Sequence, residues 1–129
     1  MGVRVTACDA TGVTLHAPLA PNINHHATVF GGSTSAVGIL AAWTWLHFAL
    51  RSARHTSRLV IQRNTVNYLA PITDDFEARC DGLPGAQFDE FVATLDRYAK
   101  ARVTLTAVLT CKGEKVATFS GEYVAAREK

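Results

Sequence analysis

Apolar and polar residues alternate over Val3, Val5 and Ala7 against Arg4, Thr6 and Cys8, and again over Val13, Leu15 and Ala17 against Thr14 and His16. Period-two alternation marks a strand with one covered face. The two runs flank Asp9-Ala10-Thr11-Gly12, whose Asp and Gly suit a tight turn, so the segment predicts a β-hairpin. Residues 18–32 break the pattern with two prolines, two asparagines and a closing Gly-Gly, which predicts an irregular loop. A loop this long in a compact domain carries function more often than it merely connects. Ser33 then suits the cap of a helix running from about Ser33 to Leu50. Ala36, Val37, Ile39, Leu40, Ala42, Trp43, Leu46 and Phe48 cover nearly the whole circumference of that helix. A helix apolar all round is enclosed by the fold.

The second half reads mostly as strand. Residues 58–69 form a β-rich run stopped by Ala70-Pro71. Phe76, Ala78 and Cys80 alternate with charged neighbours. Residues 102–111 put Val103, Leu105, Ala107 and Leu109 on one face. Beyond a turn at Lys112-Gly113-Glu114, the residues Ala117, Phe119, Gly121 and Tyr123 share a face. Between these strands Phe88, Phe91, Val92 and Leu95 are spaced for a short amphipathic helix after Pro84-Gly85. The order β, β, long helix, β, β, short helix, β, β is not a one-for-one interleaving, which argues against a doubly wound parallel sheet. It predicts an α+β fold in which one antiparallel sheet curls around a single buried helix, as one domain over residues 1–129.

Composition narrows the classes. With 129 residues, 48% hydrophobic and 19% charged, the chain has the makings of one globular core. A net charge of +2 is too weak to argue for nucleic acid. Cys8, Cys80 and Cys111 stand at no metal-ligand spacing, so no metal is expected, and a reducing, cytoplasmic setting fits an odd number of thiols. Met1 leads straight into strand-like alternation, so no signal peptide is expected. Ala36–Leu50 is an apolar run of fifteen residues, short of the ~20 that span a bilayer, and it reads as a core helix.

Chemistry gathers where the loop meets the long helix: Asn22, Asn24, His25, His26, Thr28, Phe30, Gly31, Gly32 and Ser33. The first N–H groups of a helix lack partners within it, and the dipole places partial positive charge there. Glycines let a ligand approach the backbone closely. Together these suit a carbonyl oxygen gaining negative charge. Histidine can serve as general base or acid near neutral pH, and asparagine can hold a carbonyl or a water. The plainer reading takes the glycines as a turn, Ser33 as a cap and the histidines as solvated.

The stretch Asn22-Ile-Asn-His-His-Ala-Thr-Val-Phe-Gly-Gly-Ser33, followed by a buried helix with Trp43 and Trp45, resembles the hotdog-fold thioesterases, and in particular the thioesterase domain of the YiiD C-terminal type. Asn64-Thr-Val-Asn-Tyr-Leu-Ala-Pro71, Asp75-Phe-Glu-Ala-Arg-Cys80, Arg102-Val-Thr-Leu-Thr106 and Phe119-Ser-Gly-Glu-Tyr-Val124 match in the same order. The resemblance implies a curved antiparallel sheet around one long central helix, paired edge to edge into dimers or dimers of dimers. It implies an acyl-CoA or acyl-carrier-protein thioester held at the helix start, at the dimer interface. The backbone N–H groups at Gly31, Gly32 and Ser33 would polarise its carbonyl.

One departure stands out. Many hotdog thioesterases carry an Asp or Glu on the central helix, and residues 33–50 contain none. The base is then expected from His25 or His26, or from the partner subunit; alternatively Asn24 and Asn67 simply orient a water. Thr28, Phe30, Asn64 and Asn67 are candidates for contacting substrate. Arg51, Arg54, Arg58 and Arg63 could meet the phosphates of coenzyme A, since guanidinium forks match phosphate oxygens; a solvated basic rim is the simpler reading. Trp43 and Trp45 could line an acyl tunnel, with packing the default. The cysteines sit in strand patterns, where burial is the default, and no Ser-centred elbow surrounds Ser33. The expected activity is thioester hydrolysis with no cofactor beyond the coenzyme A of the substrate. A hydratase or dehydratase on the same fold, or a binding module without turnover, are the alternatives.

Overall fold

The two most regular alternations in the sequence become neighbouring inner strands of a six-stranded sheet. In the computed structural model, which describes residues 2–22 and 31–127, the elements run β1 (Arg4–Asp9), β2 (Gly12–Ala17), a 3-10 turn (Ala20–Asn22), α1 (Gly31–Ser52), β3 (Ser57–Tyr68), β4 (Phe76–Cys80), α2 (Gly85–Tyr98), β5 (Lys100–Cys111) and β6 (Glu114–Arg127). The strand order is β1-β2-β4-β5-β6-β3, and every neighbouring pair is antiparallel. This is the α+β architecture the sequence predicts.

The inward face of each inner strand is the one the alternation marks. Val103, Leu105, Ala107 and Leu109 of β5, and Ala117, Phe119, Gly121 and Tyr123 of β6, are all buried. α1 lies across this face, with Val37, Gly38, Ala41, Ala42, Trp45 and Leu46 buried against it. Gly38 lets the helix come close, since a Cβ there would stand 2.9 Å from the Phe119 ring. The Tyr123 hydroxyl donates to the Ile39 carbonyl of α1 at 2.7 Å. Burial pushes that hydroxyl far above the ordinary tyrosine range, so it remains a neutral donor at the helix–sheet contact.

Three expectations change. α1 begins at Gly31 and ends at Ser52, four residues longer than the pattern predicts. At 22 residues it is long and apolar enough to cross a membrane by length and composition, although it packs on the sheet here. Second, α1 is not enclosed all round by the described residues. Ile39, Leu40, Trp43 and Phe48 are only half-buried, because the sheet covers one side of the helix. Third, every residue of β1 is exposed, including Val5 and Cys8. It is a short edge strand on the rim, and only β2 keeps a buried face there.

Trp45 locks the far end of α1. Its ring meets Phe88 of α2 edge-on at 5.8 Å, and its Nε1 donates to the Ala10 carbonyl at 3.4 Å. Gly82 lies against that indole with φ of +72°, and a Cβ there would fall 2.4 Å from Trp45 Cε2. Gly82→Ala therefore combines left-handed strain with overpacking. We expect it to cost about 2–4 kcal/mol, read as a lower urea midpoint with an unchanged slope.

Candidate functional site at the start of the central helix

Because α1 starts at Gly31, Ser33 lies inside its first turn and not at the cap the sequence suggests. The correction moves both glycines into the helix, so the amides of Gly31, Gly32 and Ser33 belong to the turn whose N–H groups have no acceptor within it. Nothing acidic lies in this first turn to offset its partial positive charge. Gly32 is exposed, Gly31 and Ser33 are half-buried, and Thr34 is buried.

The last residue of β3 reaches this turn. Tyr68 donates its hydroxyl to the Gly31 carbonyl at 3.0 Å. A cavity of about 320 Å³ opens beside it, lined by Thr34, Tyr68, Leu69, Ala70, Pro71 and Ile72. The backbone after the strand is fixed from below, since the N–H groups of Leu69 and Ala70 both donate to the Val116 carbonyl. A rigid strand end, a helix start and a mostly apolar cavity thus meet at one place. Tyr68 was not singled out from the sequence, although it lies within the matching stretch 64–71.

The parity of β3 explains why. Ser57, Leu59 and Ile61 face the helix, but the register with β6 shifts between Ile61 and Arg63. Past the bulge the inward set becomes Asn64 opposite Gly121, Val66 opposite Phe119 and Tyr68 opposite Ala117. Asn67 is turned to the outer face, where its Nδ2 donates to Thr118 Oγ1 at 3.4 Å. Of the two β3 asparagines considered for substrate contact, the structure places Asn64 on the face of Tyr68 and Asn67 on the opposite one. Asn64 still lies four residues from Tyr68, about 13 Å along the strand.

The other candidates divide by location. Asn24, His25, His26, Thr28 and Phe30 lie outside the described residues. Asn22 is buried, with its Nδ2 donating to the Pro18 carbonyl at 2.8 Å. Arg51 sits in the last turn of α1, some 30 Å from Gly31 at the helical rise. Arg54 follows the helix with φ of +62°. Arg58 and Arg63 face outward from β3, opposite Ala126 and Glu122. None of these arginines lines the cavity at the helix start of its own chain.

Asp74 and Asp75 already accept hydrogen bonds. Asp75 accepts the Leu19 N–H at 2.8 Å and lies 3.5 Å from His16 Nε2, while Asp74 accepts the Asp75 N–H at 2.8 Å. Glu77 pairs across from His16. Cys80 and Cys111 are buried, and burial raises the Cys80 thiol above its ordinary range, which suits packing and not nucleophilic attack. Trp45 is a packing residue. Trp43 is half-buried and stacks on His47 with ring centroids 4.7 Å apart.

A family model described as "Putative thioesterase (yiiD_Cterm)" matches residues 1–127. A solved structure described as a putative thioesterase from Shewanella oneidensis is 31% identical with a TM-score of 0.87, covering 98% of this chain and 85% of that one. A protein of unknown function from Chlorobaculum tepidum is 25% identical with a TM-score of 0.95, covering 99% and 84%. A Pseudomonas aeruginosa protein described as a probable thioesterase superposes with a TM-score of 0.77 over 98% of this chain and 84% of that one, at 20% identity, and there the likeness shows the fold alone. No curated protein matches the sequence.

Proposed function

Since the chain belongs to the YiiD C-terminal family of hotdog-fold thioesterases, we propose that it hydrolyses an acyl thioester of coenzyme A or of an acyl carrier protein at the start of α1. The observation that carries this reading is the cavity against the first helical turn. The thioester carbonyl oxygen would accept from the amides of Gly32 and Ser33. Charge that builds on that oxygen as water attacks is met by preorganised N–H groups and the helix dipole. The tetrahedral adduct then collapses, the C–S bond breaks, and the thiol leaves with a proton. Tyr68 holds the turn by its bond to the Gly31 carbonyl, and the cavity beside it would take the first part of the acyl group.

The site is completed by a second copy in this reading. A helix apolar all round that one sheet half covers is an interface in waiting. The neighbouring edge strand β3 is 12 residues long, with Val60 49% exposed, and a long flat edge is normally paired or blocked. Two β3 strands paired antiparallel would close both surfaces at once. Light scattering at micromolar concentration should return a dimer or a dimer of dimers, and a monomer would remove this part of the reading. Free thiols at Cys8, Cys80 and Cys111 accord with action in the cytoplasm.

The test of function is thiol release from a panel of acyl-CoAs. Release above the uncatalysed rate supports hydrolysis and reports the preferred chain length. A change in enoyl-CoA absorbance without thiol release would replace it with hydration. The missing helix carboxylate is the specific observation favouring a third outcome, tight binding with neither reaction.

A further inference from the structure

The hydrogen bond that Tyr68 makes to the first turn of α1 falls on one particular peptide group. Its acceptor, 3.0 Å away, is the Gly31 carbonyl. A peptide group joins the C=O of one residue to the N–H of the next, so this planar unit ends in the N–H of Gly32. Gly31 is the first residue of α1, and its carbonyl also takes the Ser35 N–H of the helical ladder, one donor for each lone pair. The Gly32 N–H has no acceptor within the helix. One peptide group is thus held by two donors at its oxygen and left open at its nitrogen. The contact is braced from both sides. Tyr68 closes β3 opposite Ala117, and the next two N–H groups donate to the Val116 carbonyl. Its ring and hydroxyl pack over Gly31, 3.6–3.8 Å from where a Cβ there would stand.

Resonance gives the C–N bond of a peptide partial double-bond character. Donors at the oxygen favour the charge-separated form, which places more positive charge on the N–H. Hydrogen bonds linked in this way strengthen one another by ~10–30% per bond. We propose that Tyr68 is a positioning residue that polarises the Gly31–Gly32 peptide group and so makes the Gly32 N–H a stronger donor to the thioester oxygen. This step rests on the reading of the helix start as the site of thioester hydrolysis. The hydroxyl acts through the peptide group and not on the reacting atoms. It has one proton and gives it to Gly31, so the peptide groups that carry the Gly31 and Ser33 N–H groups are not polarised by it.

The sign of the effect favours turnover over binding. The thioester oxygen gains its charge only as the tetrahedral adduct forms, so a stronger donor there lowers the barrier more than it tightens the ground state. Loss of a whole oxyanion donor lowers turnover about 10²–10³-fold. A change of ~10–30% in the strength of one donor is then worth about twofold to eightfold. Tyr68→Phe isolates this contribution. It removes the hydroxyl, keeps the ring that lines the cavity, and leaves the Gly31 carbonyl its helical partner. Tyr68 is 58% exposed, so the change costs the core nothing. We expect kcat and kcat/KM to fall together by that factor with KM unchanged, the pattern of an interaction made in the transition state.

Amide resonances of the intact protein in solution test the polarisation directly. A more polarised N–H resonates downfield, so Tyr68→Phe should move the Gly32 amide proton upfield. The Gly31 and Ser33 amides belong to the neighbouring peptide groups and should hold their places. A tyrosine that only braces the turn would instead shift all three together. Ring-fluorinated tyrosine placed at position 68 alone, a stronger donor while protonated, should move Gly32 downfield and raise kcat. A Gly32 amide that stays put in folded Tyr68→Phe, or moves only in step with its neighbours, overturns the proposal. So does a Gly32 amide that moves as expected while kcat on the preferred acyl-CoA is unchanged. Thiol release by the natural protein reports the hydrolase reading separately. Turnover with an unmoved Gly32 amide removes only this proposal, and a moved Gly32 amide in a protein that releases no thiol removes only that reading.

Discussion

Gly32→Val is expected to abolish the proposed thioester turnover while leaving the protein folded. Gly32 is the second residue of α1 and is exposed. A valine there loses no helix propensity, since glycine is the poorer helix former, and an exposed position away from the core tolerates substitution. What it does change is the approach to the first helical amides, where a branched side chain would stand in the path of the carbonyl oxygen. Loss of one oxyanion donor lowers turnover about 10²–10³-fold in enzymes that rely on it. A fall of at least a hundredfold in kcat/KM, with circular dichroism and size unchanged, is the expected result. The neighbouring position separates folding from approach. A Cβ at Gly31 would meet the Tyr68 ring and hydroxyl at 3.6–3.8 Å, ordinary contact, so Gly31→Ala also folds, and any loss of rate there reads on the ligand. Unchanged hydrolysis in folded Gly32→Val would move the oxyanion site away from this turn.

Where one face of an element is buried within the chain, alternation in the sequence settles it. The inward faces of β5 and β6 are legible, because they are buried within the fold and a one-residue slip would expose the whole set. The amphipathic spacing of Phe88, Phe91, Val92 and Leu95 likewise gives α2, with Phe91 and Leu95 buried. The rims are less legible. Val5 alternates as an inward residue would, yet is 54% exposed, because an edge strand can keep the pattern without the cover. At the site, the glycine–helix junction is visible as a pattern, but Tyr68 is not. Nothing in Ile61-Gln-Arg63 announces a bulge, and without one the odd residues would face the helix throughout β3, bringing Asn67 in and sending Tyr68 out. One unpaired residue exchanges a legible candidate for an illegible one. The half-covered face of α1 has a related cause: the sequence shows a helix apolar all round, and it does not show which of its faces the sheet reaches.

Replacing His25 and His26 together by alanine should lower the rate by about a hundredfold or more, the scale of general-base catalysis. The argument is one of elimination at the helix start. α1 holds no Asp or Glu, and its titratable side chains are His47 and Arg51, both at its far half. Among the described residues, the cavity at the first turn is lined by one titratable group, Tyr68, whose hydroxyl is donated to Gly31. Asp75 is held by Leu19 and His16. The loop histidines, which lie outside the described residues, come next in sequence before Gly31. A histidine must be neutral to take a proton from water, so the rate should rise with pH through a histidine-like value of ~6–7, and the double variant should lose that rise. Asn24→Ala, acting on the position of the carbonyl or the water, should lower the rate without moving the profile. His25 ranks above His26, being nearer Asn24 and further from the helix. If the folded double variant keeps its full rate and the same profile, the base is not a loop histidine, and Asp74, Asp75 or Glu77 of the opposite subunit become the groups to replace.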